Sequence, residues 1–346
     1  MSIQTPPHPF SPSCCDGSAR YSKHHRENNI TIEKPTTITK HTYMKTIIPA
    51  IPGPVSRAVS TRILTLALLL AITATVQAQT FYVSATGDLI DKISSVGAVS
   101  LFAILPDSPN PYGVAVDGSG NVYVMGGNTG EISMITPGGA VSLFATLPGG
   151  SGFAGLAFDG SGDLYAVNQS AAEISKISPG GTVSPFATLP ASSLPFDLAF
   201  DASGDLYVSD YGISEISKIT SGGTVSVFAS SPSPSGLAFD RDGNLYVADN
   251  HTGEIHMFSL GGGLSLFATL SAGSNVLDLA FDDRGNLYAA GEETDQITEI
   301  SPDGFTVSVF ATGISHPKFI AIVPEPSSAL LLLGSGAMLL LRRRRG

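Results

Sequence analysis

From Phe81 to Val323 apolar and polar positions repeat in one short pattern. A run such as LAFD is followed by a turn of the form Asp-x-x-Gly-Asn/Asp. Then come DLYV, a polar break, EISKIS, a Gly-rich break and TVSVFA. Each run is four to six residues long, rich in valine, isoleucine, tyrosine and phenylalanine, and bounded by glycine, proline, serine or asparagine, which is the pattern of β-strands joined by tight turns. The line recurs as GVAVDGSGNVYV, GLAFDGSGDLYA, DLAFDASGDLYV, GLAFDRDGNLYV and DLAFDDRGNLYA. Its first aspartates are Asp117, Asp159, Asp201, Asp240 and Asp282, at intervals of 42, 42, 39 and 42 residues. Tyrosine recurs at 82, 123, 165, 207, 246 and 288, and a Phe-Ala pair begins at 102, 144, 186, 228, 267 and 310. Gly-Gly and Asp-Gly in turns such as 178–182 and 301–305 supply the positive φ angles of a tight hairpin.

Four antiparallel strands per period of about 42 residues is the sequence form of a propeller blade. Six copies of the later markers accompany five of the aspartate line. After the sixth Phe-Ala pair, KFIAIV (318–323) matches the first-strand slot, with Val323 where aspartate stands elsewhere. The first copy begins at Phe81, already in its second strand. The spacing therefore predicts an all-β, six-bladed β-propeller over 79–323, closed by a C-terminal strand that joins the N-terminal blade. A linear stack of sheets would need no blade shared between the two ends, and would want distinct capping repeats.

The ends differ from this body. Residues 63–74, ILTLALLLAITA, form an uncharged apolar run preceded by Lys45, Arg57 and Arg62, with Val76 and Ala78 placed for a cut before Gln79. That layout predicts a signal peptide over 44–78, with an apolar helix at its centre. Its natural start is Met44, so residues 1–43 are either an upstream extension before the true start or a disordered leader. At the other end, Ser327–Leu341 carries no charge and four arginines follow. Fifteen helical residues reach roughly 22 Å, short of a hydrocarbon core near 30 Å, and snorkelling arginines make up part of the difference. Arginine resists translocation, which predicts a short transmembrane helix with Arg342, Arg343, Arg344 and Arg345 on the cytoplasmic side and the body outside the inner membrane.

Pro324, Glu325 and Pro326, then a short apolar stretch, then a terminal arginine cluster resemble the PEP-CTERM sorting signal. The resemblance covers residues 324–346. It implies a Gram-negative host, an exosortase-type processing enzyme as partner, a transient inner-membrane anchor, and delivery to the cell surface or extracellular matrix, where exopolysaccharide resides. The body resembles the NHL repeat family, most closely at YVADNHTGEIHMFS (246–259). That resemblance implies the six-bladed ring, in which gluconolactonase-type hydrolases, a streptogramin lyase and non-catalytic binding propellers all occur. Fold does not choose among them.

Charge narrows the choice. Residues 79–326 carry six Lys/Arg against 26 Asp/Glu, a net charge of −20. Nucleic-acid binding needs a basic face, which this body lacks. Cys14 and Cys15 are the chain's two cysteines, so no disulfide framework holds the propeller. Their spacing from His8, His24 and His25 matches no zinc pattern.

In a propeller the loops between blades and those between the second and third strands share one face, where the tunnel opens. Candidate ligand-binding residues there are Asn168, Asp210 and Asp249, each three residues after the blade tyrosine. Asp197 and Asp278, which replace a glycine at the start of strand one, and His316 join them, with Glu292 and Glu293 close by. Converging carboxylates are oxygen ligands suited to Ca²⁺; aspartate after a strand also closes an Asx turn on its own backbone. The turn from Asp240 to Asn244 reads as a hairpin, because the other blades build the same turn with fewer acids. For catalysis the body offers His251, His256 and His316, with no nucleophile elbow, phosphate loop or helical His pair. The leading expectation is a non-catalytic propeller that needs no cofactor and binds a glycan or protein. The alternative is a metal-dependent lactonase or streptogramin-lyase-like enzyme.

Overall fold

The computed structural model describes residues 79–323, apart from 108–109, 150–151, 153–154 and 272. The signal helix, the apolar C-terminal helix and the sorting residues lie outside the described residues. Among those described, no helix is long and apolar enough to cross a membrane.

The strands follow the predicted runs. β1 (Thr80–Ala85), β2 (Leu89–Ser94) and β3 (Val99–Ile104) form most of blade 1. Blade 2 comprises β4 (Pro111–Val116), β5 (Val122–Gly126), β6 (Glu131–Ile135) and β7 (Val141–Thr146). In blade 3 these are β8 (Leu156–Phe158), β9 (Leu164–Asn168), β10 (Glu173–Ile177) and β11 (Val183–Thr188). β12 (Pro195–Phe200), β13 (Leu206–Asp210), β14 (Glu215–Ile219) and β15 (Val225–Ser230) build blade 4. Blade 5 holds β16 (Pro234–Phe239), β17 (Leu245–Asp249), β18 (Glu254–Phe258) and β19 (Leu264–Thr269). Blade 6 holds β20 (Val276–Phe281), β21 (Leu287–Gly291), β22 (Gln296–Ile300) and β23 (Val307–Thr312). The last strand, β24 (Ile320–Ile322), pairs antiparallel with β1, with Phe81 opposite Ile322 and Val83 opposite Ile320. Each sheet then has four strands. The six innermost strands touch in the cycle β24, β4, β8, β12, β16, β20 and back to β24. That cycle is a closed ring, as the shared blade requires.

The core lies between blades. Each second strand is buried on both faces, whereas the outermost strand is largely exposed. The blade tyrosine is the repeated wedge. Tyr123 meets Phe144 of its own blade at 4.9 Å and Phe158 of the next at 5.1 Å, both edge to face. Tyr165, Tyr207 and Tyr246 repeat the arrangement. At the seam, where β24 offers Ile322 in place of phenylalanine, Tyr288 packs instead on Phe81 at 4.7 Å. Such pairs contribute about 0.5–1.5 kcal/mol each beyond area burial.

The recurring aspartate caps the first hairpin. Asp240 Oδ1 accepts the N–H groups of Asp242 and Asn244, while Oδ2 accepts Asn244 Nδ2 and the Tyr246 hydroxyl. This is a hairpin, as its sequence reads. Blades 3 and 4 carry aspartate in place of that asparagine, and there a lysine from the third strand supplies the missing positive partner. Lys176 Nζ lies 2.8 Å from Asp163 and 3.8 Å from Asp159; Lys218 repeats the geometry with Asp205 and Asp201. Blades 2 and 5, with asparagine, place Met134 and Met257 opposite the tyrosine. Lys176→Met is therefore expected to cost about 1 kcal/mol or less, since the group is a third exposed and screened. Asp163→Asn added to it should recover most of that loss, because it recreates the blade 2 pattern. Thermal melts of the two variants decide; equal melting temperatures would remove the pairing argument.

β1 runs from the hairpin-turn face to the face carrying the inter-blade loops, and β24 returns. Val323 N–H donates to Thr80 O at 2.9 Å. Thr80 and Val323, the outer ends of these two strands, therefore lie together at the turn face.

Candidate functional site

On the opposite, loop face the inner strands begin at a wide cup and close on two carboxyl groups. Proceeding down the axis, the first level is formed by Tyr112, Phe196, Leu277 and Lys318, each the residue just before the glycine/aspartate position. Phe319 from the closing strand lies beneath them, stacked on Phe196 at 5.6 Å and edge-on to Tyr112 at 6.4 Å. Lys318 is buried, with Nζ 2.6 Å from Asn110 Oδ1, 3.5 Å from Pro111 O and 4.1 Å from the Tyr112 ring centroid. Burial lowers its pKa, and burial raises that of Tyr112 to about 12.

At the next level Asp197 and Asp278 are buried and close enough for each to act on the other's titration. Bulges in the inner strands free backbone N–H groups, and the aspartates take them up. Leu237 N–H donates to Asp197 Oδ2 at 2.8 Å, and Ile320 N–H donates to Asp278 Oδ2 at 2.8 Å. Each carboxylate thus ties its blade to the next. Between them blade 5 carries glycine, because a Cβ on Gly236 would lie 2.5 Å from the Asp278 Cα. Burial holds the Asp197 pKa up at about 7, and burial together with the adjacent Asp197 holds Asp278 well above the usual carboxylate range.

The cup has a volume of about 370 Å³. Tyr112, Phe196 and Leu277 form its floor. Its rim is Gln169, Tyr211, Asn250 and Glu292, with Leu194 and Asn275 from the inter-blade loops. The four rim residues occupy one register position, four residues after the blade tyrosine. Three of them are fixed by the same bond to the facing loop: Tyr211 N–H to Leu194 O (3.2 Å), Asn250 N–H to Ser233 O (3.2 Å) and Glu292 N–H to Asn275 O (3.1 Å). In blade 2 that position is Gly127, where a Cβ would lie 2.6 Å from Tyr112 Cδ2, so glycine there makes room for the floor ring. Glu292 Oε2 accepts Asn275 Nδ2 at 2.7 Å, and burial raises its pKa.

The six candidate ligand-binding residues named from the sequence fall into three places, none in the cup lining; Glu292, noted beside them, is in it. Asn168 is buried; its Nδ2 donates to Pro148 O and its Oδ1 accepts Ala171 N–H, capping a short 3-10 turn. Asp210 Oδ1 accepts Leu194 N–H at 3.0 Å, and its buried Oδ2 has no hydrogen-bond partner among the described residues. Asp249 closes an Asx turn on the N–H groups of His251 and Thr252. Asp197 and Asp278 meet below the floor. His316 is half exposed at the loop corner of blade 1, with φ +47° and its N–H on Asp295 Oδ1. Among the described residues no three His, Cys, Asp or Glu side chains come together as a metal-binding group. Strand alternation explains the offset. The third residue after the tyrosine ends the strand and turns inward; the fourth opens the loop and faces the cup. Polar and aromatic types at that fourth position, in four successive blades, were a readable signal.

Family comparison gives three matches. Residues 63–231, just under half of the chain, match the virginiamycin B lyase family; 232–258 match the NHL repeat; and 323–345 match the PEP-CTERM protein-sorting motif. No curated protein matches the chain. Among solved structures, virginiamycin B lyase from Staphylococcus aureus is 21% identical, with a TM-score of 0.52 over 60% of this chain and 73% of that one. A catalytically inactive histidine-to-alanine form of that lyase with quinupristin is 17% identical, with a TM-score of 0.55 over 68% and 86%. A chain of the nidogen/laminin complex is 16% identical, with a TM-score of 0.61 over 71% and 98%. At these identities the likeness shows the fold.

Proposed function

We propose that this NHL-repeat-like six-bladed β-propeller, marked for export by its PEP-CTERM sorting signal, is a surface or matrix protein that binds a glycan in its loop-face cup without transforming it. One observation carries the reading: a preformed cavity of about 370 Å³ whose lining, among the described residues, has three aromatic rings and three side-chain amides and no histidine. Aromatic faces stack on the C–H faces of a pyranose, and convergent amides bond its hydroxyls. The rim is held by backbone bonds before any ligand arrives, which limits the ordering cost of binding. The ends add to this. Once a signal peptide over 44–78 is cut away, an apolar anchor after Pro326 would hold the turn face toward the inner membrane until an exosortase acts, leaving the cup facing outward.

The full-length protein is expected to bind oligosaccharides on a glycan array. Tyr211→Ala, at a rim side chain that is 45% exposed, should weaken binding about tenfold, or about 1.4 kcal/mol, with an unchanged melting temperature. Binding should be the same with Ca²⁺ or a chelator. A parent protein that retains no glycan sinks the reading. The match to the virginiamycin B lyase family supports a second one, a lyase acting on a compound of the quinupristin kind. Consumption of quinupristin by the parent, followed by chromatography, would favour it.

A further inference from the structure

We propose that the cup is built for a cationic glycan, one whose sugars carry free, protonated amines. The inference rests on the glycan reading and concerns its chemical class.

Among the described residues Glu292 is the one charged side chain in the cup lining. It is held rather than loose: its N–H is bonded to Asn275 O, and Oε2 accepts Asn275 Nδ2 at 2.7 Å. Among the described residues Oε1 has no hydrogen-bond donor, so a ligand ammonium has an acceptor waiting. Tyr112, Phe196 and Tyr211 surround the same space, and aromatic faces attract an ammonium through the ring quadrupole. A carboxylate beside aromatic faces suits a protonated amine better than an acetamide, which brings no charge, and far better than a uronate, which brings the wrong one.

The nearby cations do not line the cup. Lys318, whose charge is felt by Glu292 as that of His316 also is, has its ammonium bonded to Asn110 and Pro111 O and set over the Tyr112 ring. His316 sits on Asp295 at the outer corner. Glu293, next to Glu292, adds negative charge. Beyond the cup, the −20 charge of residues 79–326 raises the local concentration of cationic chains and repels acidic ones.

The test compares two probes of equal length on the full-length protein: a fully deacetylated glucosamine hexamer and its fully N-acetylated counterpart, at pH 6 in 0.15 M and 0.5 M salt. The deacetylated hexamer is expected to bind at least tenfold more tightly at the lower salt, and to keep most of that preference at the higher, where long-range field is screened. Glu292→Gln should reduce the preference to within about threefold, chiefly by weakening the deacetylated hexamer. Equal or tighter binding of the N-acetylated hexamer overturns the cationic class and leaves the glycan reading standing. A preference that persists in Glu292→Gln, or vanishes at 0.5 M salt in the parent, assigns selectivity to overall charge and overturns the site. Failure of both hexamers and of every arrayed glycan overturns the glycan reading itself.

Discussion

A chain ending at Gly313 is expected not to fold, whereas one ending at Val323 should melt cooperatively. The ten residues between them include β24. Without it β1 becomes an open edge, losing among others the bonds from Ser84 N–H to Phe319 O, Lys318 N–H to Ser84 O and Val323 N–H to Thr80 O. Phe319 and Ile320, both almost fully buried, leave the core. Burial of each is worth about 1.5–3 kcal/mol. Phe196 and Tyr112 lose the ring between them, and the buried Asp278 loses the Ile320 N–H, at about 1–3 kcal/mol for an unmet buried partner. The sum approaches the 5–15 kcal/mol that holds a whole domain. The exposed β1 edge would then pair with other chains. Circular dichroism and size-exclusion chromatography distinguish the outcomes, and a peptide of residues 314–323 supplied in trans should restore the folded form. A stable monomer ending at Gly313 would mean that the closing strand is dispensable.

The second large effect concerns the paired carboxyls on the axis. Both have folded pKa values above the unfolded Asp value. The folded state therefore holds protons that the unfolded chain has released, and stability falls as pH rises from about 4 to about 7, the folded value of Asp197. A shift of about three units corresponds to on the order of 4 kcal/mol over that window. Asp278→Asn keeps its one oxygen for the Ile320 N–H, gives up the local Leu279 bond to the other carboxylate oxygen, and offers an amide to Asp197. It is expected to raise the melting temperature at pH 8 by roughly 2–8 °C, from ~1–2 kcal/mol in a domain of this size, and to flatten the profile between pH 4 and 7. Asp278→Ala leaves the Ile320 N–H without its acceptor and should lower stability at every pH. A parent protein whose stability does not fall across that range, or an Asp278→Asn variant less stable at pH 8, would show that the pair carries no shared proton.

Much of this was legible along the chain. The hairpin aspartates, the blade tyrosines and the Phe-Ala pairs each answer a local demand: a capped turn, a wedge between sheets, a strand that pairs with its neighbour. Because each demand recurs every blade, the spacing fixes the number of blades, and the surplus KFIAIV fixes the closure. The cup was less legible. Asn168, Asp210 and Asp249 lie one residue before Gln169, Tyr211 and Asn250, and with a side-chain period of two that single step separates a capping role from a ligand-facing one.

The amino-acid order by itself determined the all-β class, the six blades, the strand shared by the two ends, the acidic body and the sorting signal at its C-terminal end, because strand period, turn chemistry and charge are properties of neighbouring residues. Only the tertiary structure decided that Asp197 and Asp278 meet across blade 5, that Phe319 underlies Phe196 and Tyr112, and that Glu292 opens into an aromatic cup. Those meetings depend on how closely the six inner strands approach the axis, and that distance is set by all the blades packing at once.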